Sequence, residues 1–317
     1  MSLRPFVLDC DTGRDDALAI WVALAQNMPL SAVVASYGNV KVENVADNTA
    51  RVLFIAKRED ISLWAAAEQP SQAHAAIASV VAPRQQNSGN GLCNIELPRG
   101  ARNAEKVDYP GLAAKLFGLF EKLGPLDYII TGPATNFYHV CEIFGARARE
   151  IFAQVTMMGG KFSPLWEQIP GADFNIICDP YAVQGIMQHG IAIRFVPMNA
   201  TWPIKLTLPE IEQLQASNAV GVASKYLMIA HCRNFAPEPI FRFHDPSVMI
   251  AAMHPAAFAR AKIDVICDEK SPDFGRLITG EGYDASFYHT DEKTQRMILD
   301  VILKSLGLIK LPEMLQL

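Results

Sequence analysis

Residues Val7 to Ile20 read VLDCDTGRDDALAI, which places four carboxylates, Asp9, Asp11, Asp15 and Asp16, within eight positions. Like charges this close repel unless something positive sits among them. An oxygen-seeking cation is the simplest such partner. Ca²⁺ accepts six to eight oxygen ligands where Mg²⁺ demands a tighter octahedron, so Ca²⁺ is the expected ion. The chemistry this implies is metal-assisted hydrolysis. The bland alternative is an acidic capping segment on a surface loop. The pattern is neither a calcium-binding EF-hand loop, nor a dinucleotide fingerprint, nor a P-loop. It also departs from the aspartyl-phosphate pattern Asp-x-Asp-x-Thr/Val, because Gly13 holds the fifth position and Thr12 comes one place early.

The elements around this segment explain how it could be aimed. Phe6 to Leu8 is an apolar strand candidate, and a helix runs from about Asp15 to Gln26, its acidic first turn suiting the positive helix end. Asp9 and Asp11, two apart, would share a face of an extended segment, and Gly13 permits the turn into the helix. Ser31–Ser36 reads as a strand, Glu43–Lys57 as a helix and Ile61–Trp64 as a third strand. Further strands are expected at Leu126–Thr131, Phe152–Met158, Ala192–Val196, Ile263–Cys267, Arg276–Thr279 and Ala285–Tyr288. Helices are expected at Pro110–Leu123, Asp179–His189, Pro209–Leu214, Gly221–Cys232, Ser247–Met253 and Asp291–Leu306. This alternation predicts an α/β fold, an open and mostly parallel Rossmann-like sheet flanked by helices. Ligands of such sheets bind at the carboxyl ends of the strands. Three polar motifs fall there: Asp9–Asp16, Thr135-Asn136 and the loop after Met158. The polar, glycine-rich stretch from Ala82 to Asp108 lacks periodicity and reads as a long loop insertion, a kind of segment that is often functional.

The bulk numbers exclude several classes. The chain has 317 residues, 50% hydrophobic, with a formal net charge of -5. It predicts no basic nucleic-acid surface and no apolar run long enough to cross a bilayer. The opening Met1-Ser2-Leu3-Arg4-Pro5 does not resemble a signal peptide, so a cytoplasmic protein is expected. Six widely spaced cysteines form no CxxC pair and read as reduced small hydrophobes. No linker or internal repeat is visible, and residues 1–317 read as a single domain.

Beyond these readings, the chain resembles the inosine-uridine-preferring nucleoside hydrolases. DCDTGRDDALAI is similar to that family's opening, and the likeness continues through Gly38-Asn39, Gly132-Pro133-Ala134-Thr135-Asn136, Met158-Gly159-Gly160, Asp173-Phe174-Asn175 and His244-Asp245-Pro246. The resemblance implies a nucleoside hydrolase fold and hydrolysis of the N-glycosidic bond of ribonucleosides to free base and ribose. It implies one Ca²⁺ per subunit, held by the carboxylates of Asp11, Asp16 and Asp245 and by the backbone carbonyl of Thr135, with the ribose 2'- and 3'-hydroxyls and a water completing the shell. Asp11 would take a proton from that water. Asp15 would accept hydrogen bonds from the ribose diol, Asn39 would orient Asp11 and the sugar, and Asn175 would bind a ribose hydroxyl. Met158 and Phe174 fall among the substrate-binding positions. Asp9 matches an acidic position one layer behind the ion. Carboxylates facing the sugar would favour an oxocarbenium-like state over neutral substrate. His244, whose imidazole ordinarily titrates near neutrality, is the candidate to assist base departure. His231 and Tyr226, on one predicted helix, are candidates for the base pocket. Trp166, Trp202 and Phe235 could stack on a base, Trp166 with the best claim because it interrupts a polar loop.

Departures from the family pattern bear on the substrate. Asn87-Ser88 stands where the family often carries His-Gly before Gly91-Leu92, and Asn cannot act as an acid near pH 7. Glu167 stands where Asn is expected, and with Asp173 it would make the 5' end of the sugar site acidic, disfavouring a 5'-phosphate. Two other functions follow from these exchanges: hydrolysis of a modified or non-canonical ribosyl compound, and ribosyl-compound binding without turnover. The expected partner is a small ribonucleoside, with no nucleic acid and no membrane, and the resemblance implies a homodimer or homotetramer.

Overall fold

The structure, a computed structural model, describes residues 3–163, 165–169, 171–234 and 238–310. Its first half alternates strand and helix: β1 (Phe6–Cys10), α1 (Arg14–Ala25), β2 (Leu30–Ala35), α2 (Val42–Ile55), β3 (Ser62–Ala65), α3 (Ala75–Asn87), β4 (Glu105–Lys106), α4 (Tyr109–Leu123), β5 (Leu126–Ile130) and α5 (Thr135–Phe144). It continues through α6 (Ala148–Ile151), β6 (Phe152–Met158), α7 (Leu165–Gln168), α8 (Phe174–Cys178), α9 (Pro180–Gln188), β7 (Ile193–Val196) and α10 (Met198–Thr201). Then come β8 (Lys205–Thr207), α11 (Leu208–Gln213), β9 (Gln215–Ala216), α12 (Ala219–Asn234), β10 (Ile240–Arg242) and α13 (His244–Ala252). The last elements are β11 (Phe258–Val265), β12 (Leu277–Thr279), β13 (Tyr283–Tyr288), α14 (Glu292–Ser305) and β14 (Leu308–Ile309).

Ten strands form one sheet in the order β12-β11-β13-β7-β6-β5-β1-β2-β3-β4. It is parallel from β13 to β4, and β11 runs antiparallel to both β13 and β12 at the far edge. The expected mostly parallel α/β sheet is therefore the observed one.

Side-chain alternation along the central strands builds two layers. Phe6, Leu8 and Cys10 of β1, Ile129 of β5, Met158 of β6 and Val196 of β7 join one core with Trp21 of α1 and Ile250 of α13. Val7, Tyr128, Ile130, Met157 and Phe195 join the other, with Phe137 of α5 and Ile186 of α9. A strand buried on both faces reads as a near-continuous apolar run, which is why β1 is apolar except at Asp9.

Two sequence expectations change. The stretch from Ala82 to Asp108 is not uniformly irregular, because α3 runs to Asn87. Pro83 lies inside that helix and hides it from a reading by breakers. Nor do Asp9 and Asp11 share a face. Strand β1 ends at Cys10, so Asp11 turns out over the strand ends while Asp9 points into the second layer. There its Oδ1 accepts from Asn136 Nδ2 at 3.0 Å and its Oδ2 accepts from the Tyr128 hydroxyl at 3.0 Å. Burial pushes its carboxyl up to about 7. All six cysteines are free, and five are buried. Among the described residues no helix is long and apolar enough to cross a membrane.

Candidate active site

Over the carboxyl ends of the central strands lies a cavity of about 260 Å³. Most of its wall comes from strand ends and helix starts, where backbone groups are free to bind ligands. The corner between β1 and α1 supplies Asp11, Arg14 and Asp15, and the turn after β2 supplies Asn39. The ends of β5 and β6 supply Thr131 and Met158. The start of α8 supplies Asp173, Phe174 and Asn175, and the start of α13 supplies His244 and Asp245. Segments distant in sequence thus meet at one point because parallel strands all end on the same side.

Hydrogen bonds hold three of the carboxylates, those of Asp11, Asp15 and Asp16. Asp11 Oδ2 accepts from the Asn39 backbone N–H at 2.6 Å. That approach requires glycine at position 38: a Cβ there would sit 2.1 Å from Asp11 Oδ2, at φ +156°. Asp16 lies directly behind the wall, accepting from Gly13 N–H at 3.0 Å and from the Thr131 hydroxyl at 2.8 Å. Asp15 Oδ2 accepts from the backbone N–H groups of His244 and Asp245 at 3.1 and 3.2 Å, which ties α1 to α13. Among the described residues, Asp15 Oδ1 is buried without a hydrogen-bond partner. Asn175 Nδ2 donates to the carbonyls of Thr131 at 2.8 Å and Met158 at 3.2 Å.

Burial raises the pKa of each of these carboxyls above the ordinary aspartate range. For Asp11 the neighbouring Asp16 adds to the rise, and for Asp245 Asp16, Asp15 and Asp11 all add. Burial carries Asp15 to about 7, Asp16 to about 6 and Asp173 to about 6. A set of carboxylates that destabilise one another, supplying only oxygen donors and leaving one buried oxygen unpaired, fits a hard divalent cation. Among the described residues, no three His, Cys, Asp or Glu side chains already converge in a ready metal site.

His244 lines the cavity, and its Nδ1 shares a 2.7 Å hydrogen bond with the Thr201 hydroxyl. The expectation that it titrates near neutrality is corrected. Burial, reinforced by Arg242, Arg14 and Arg84, pushes its imidazole down to about 3.

Several expected residues lie elsewhere. Thr135 is not at the cavity. Gly132-Pro133-Ala134 carries the chain away from the strand end, so the Thr135 hydroxyl donates to Asp179 Oδ2 at 2.7 Å and its carbonyl enters the first turn of α5. Thr131, four positions earlier, occupies the strand end instead. Asn87 is exposed at the end of α3, beyond the cavity that Arg84 reaches one turn earlier. Glu167 is exposed on α7, so the acidity expected at that end rests on Asp173 alone. Tyr226 is 62% exposed and turned to the surface of α12. His231 sits edge-on to Phe241, with ring centroids 5.4 Å apart, and does not line the cavity. The side chain of Trp166, and Phe235 altogether, lie outside the described residues. Trp202 is covered by the guanidinium of Arg242, 3.8 Å from its ring centroid.

The cavity also holds Arg14, Arg84, Thr131 and Met198, which the sequence reading passed over. Arg14 lay in the acidic motif itself and could have been noticed as its one cation. Arg84 and Met198 carry no sequence signal, because only the fold brings α3 and α10 to the strand ends.

Comparison with known proteins agrees with this architecture. The family model described as inosine-uridine preferring nucleoside hydrolase matches residues 6–304. A pyrimidine-specific ribonucleoside hydrolase RihA from Photobacterium profundum is 30% identical over 268 residues, covering 81% of this chain and 82% of that protein. The RihA of Salmonella arizonae is 31% identical over 213 residues, covering 67% and 66%. Among solved structures, a plant nucleoside hydrolase, the PpNRh1 enzyme, superposes with a TM-score of 0.80 at 21% identity over 96% of this chain and 99% of that one. A purine-preferring ribonucleoside hydrolase from Gardnerella vaginalis gives 0.76 at 20% identity over 96% and 98%. With a match that spans nearly the whole sheet and every strand end lining the cavity, the chain belongs to the inosine-uridine preferring nucleoside hydrolase family.

Proposed function

We propose that the protein hydrolyses the N-glycosidic bond of ribonucleosides, releasing free base and ribose, with a divalent cation, Ca²⁺ by its donor chemistry, as cofactor. The observation that carries this reading is that Asp11, Asp15 and Asp245 line one cavity, with Asp16 hydrogen-bonded to Thr131 of the same wall. Asp11, Asp16 and Asp245 would hold the cation, and Thr131 replaces Thr135 as the residue whose position suits a further oxygen. Such a cation supplies positive charge against the carboxylates and makes a nearby water easier to deprotonate.

The chain's own residues account for the rest. Asp11, at the end of β1 and facing the cavity, is the general base for the attacking water. The Asn39 N–H fixes its orientation. As the glycosidic bond breaks, positive charge grows on the sugar ring, and the facing carboxylates stabilise it more than they stabilise the neutral substrate. Asp15 and Asn175 bind sugar hydroxyls. His244, neutral at pH 7, serves the departing base by hydrogen bonding rather than by delivering a stored proton.

Product identification tests this reading. Incubation with inosine and uridine is expected to release hypoxanthine and uracil together with free ribose, and the 2'-deoxy analogues are expected to react far more slowly. Equal turnover of inosine and deoxyinosine would contradict the diol contacts.

A further inference from the structure

Two guanidiniums share the cavity with the carboxylates, and the chemistry above uses neither. Arg84 is fixed in place, donating from Nε and Nη2 to Asn39 Oδ1 at 3.2 and 3.0 Å and lying 4.8 Å from the Phe174 ring centroid. Burial and the nearby charge of Arg14 push its pKa down, so the fold holds two like charges together at a cost. Arg14 is half-buried at the start of α1, where its backbone N–H donates to the Gly91 carbonyl at 3.1 Å. Among the described residues its guanidinium has neither a hydrogen bond nor an ion pair. The charge of Arg84 favours ionised Asp11 and that of Arg14 favours ionised Asp15 and Asp16, yet among the described residues neither arginine lies within 4.0 Å of a carboxylate oxygen, so neither is committed to an ion pair. What remains is a pair of forked cations facing the ligand space, a geometry suited to a carboxylate or a phosphate.

We propose that Arg14 and Arg84 form an anion subsite, and that the substrate is a ribosyl compound bearing a negatively charged substituent. This rests on the hydrolase reading above. A carboxylate on the leaving base and a phosphate on the 5'-hydroxyl present the same chemistry to the two guanidiniums. Occupancy of the carboxylates by a divalent cation lessens their repulsion of such an anion. The 5'-phosphate that the sequence reading disfavoured returns as a candidate, because Glu167 is exposed away from the cavity while Arg14 and Arg84 line it.

The test compares kcat/KM for uridine, orotidine and uridine 5'-monophosphate in the wild type, Arg14→Gln and Arg14→Lys proteins. Orotidine adds a carboxylate to the base, and the monophosphate adds charge at the other end. One of the two is expected to exceed uridine by about tenfold or more, the scale of one charge-assisted contact. That preference should fall at least severalfold in Arg14→Gln, return in part in Arg14→Lys, and shrink with added salt in the wild type. Uridine preferred over both anions, or a ratio indifferent to Arg14→Gln, would overturn the subsite while leaving the hydrolase reading intact. Should none of the three be hydrolysed, turnover of inosine decides whether the hydrolase reading stands, and equilibrium dialysis of the same three compounds decides the subsite. Tighter binding of an anionic compound that Arg14→Gln abolishes supports it, and binding no tighter than uridine's overturns it.

Discussion

Thr131→Val exchanges one buried hydroxyl for a methyl of nearly the same size, and so isolates the 2.8 Å bond that Thr131 donates to Asp16 Oδ1. Both residues are buried, so the lost donor is not replaced by bulk solvent. A hydrogen bond to an ionised group is worth about 1.5–3 kcal/mol, and one between neutral groups about 0.5–1.5 kcal/mol. The larger loss applies only while Asp16 is ionised, and the difference between the two corresponds to a further rise of about one unit in its pKa. Burial already raises Asp16 above the ordinary carboxylate value, to about 6. A carboxyl whose folded pKa lies above its unfolded value contributes stability that is full at low pH and lost as pH climbs through the folded pKa. In the variant that loss continues to higher pH, so more is lost. Its deficit relative to wild type should therefore be small at pH 5 and grow by about 1–2 kcal/mol at pH 8. Urea denaturation in the presence of chelator reads this directly, with Thr131→Ser as the variant that keeps the hydroxyl. A deficit of equal size at both pH values would show that Thr131 stabilises by packing alone and would refute the reasoning.

Other predictions follow from the same geometry. Asp11→Asn keeps the shape but removes the base, and should lower kcat by about 10²–10⁴ without loss of fold; a near-wild-type rate would remove Asp11 from the mechanism. Burial, with Arg14, Arg84, Arg242 and His244 nearby, pushes His231 down from 6.5 to about 3, so it is neutral in the fold but binds a proton on unfolding. The stability this gives is full above pH 6.5 and is lost as pH falls toward 3, so His231→Phe should flatten the stability profile between pH 7 and 4.5; an unchanged slope in denaturation midpoints would count against it. Tyr226→Ala and Glu167→Ala alter exposed side chains away from the cavity and should leave kcat/KM within about twofold of wild type, whereas a large drop in steady-state assays would place one of them at the substrate.

Much of the fold was legible because strands buried on both faces leave continuous apolar runs, as at Phe152–Met158, between helices with acidic or proline starts such as Pro110–Leu123. What stayed hidden was α3, where Pro83 masquerades as a breaker, and α5, whose start was read as a loop motif. The acidic floor was legible at Asp11, Asp15 and Asp16 because like charges crowd into one short segment, whereas Asp245, far along the chain, was reached only through the family resemblance. The walls were less legible. Choosing between Thr131 and Thr135 depends on where β5 stops, and the reach of Arg84 depends on which turn of α3 crosses the strand ends. The expected shared face of Asp9 and Asp11 assumed extended chain through Asp11, whereas β1 ends at Cys10. A single step decides whether a side chain faces the cavity or Tyr128.

The central claim is that this cavity cleaves ribonucleosides with the help of a hard divalent cation held by Asp11, Asp16 and Asp245. Its most direct test is release of base from inosine and uridine by protein stripped with a chelator, then assayed again with Ca²⁺ restored. The account predicts that release disappears on stripping, returns with Ca²⁺, and fails to return in Asp16→Asn. Undiminished release from the fully stripped protein would contradict it.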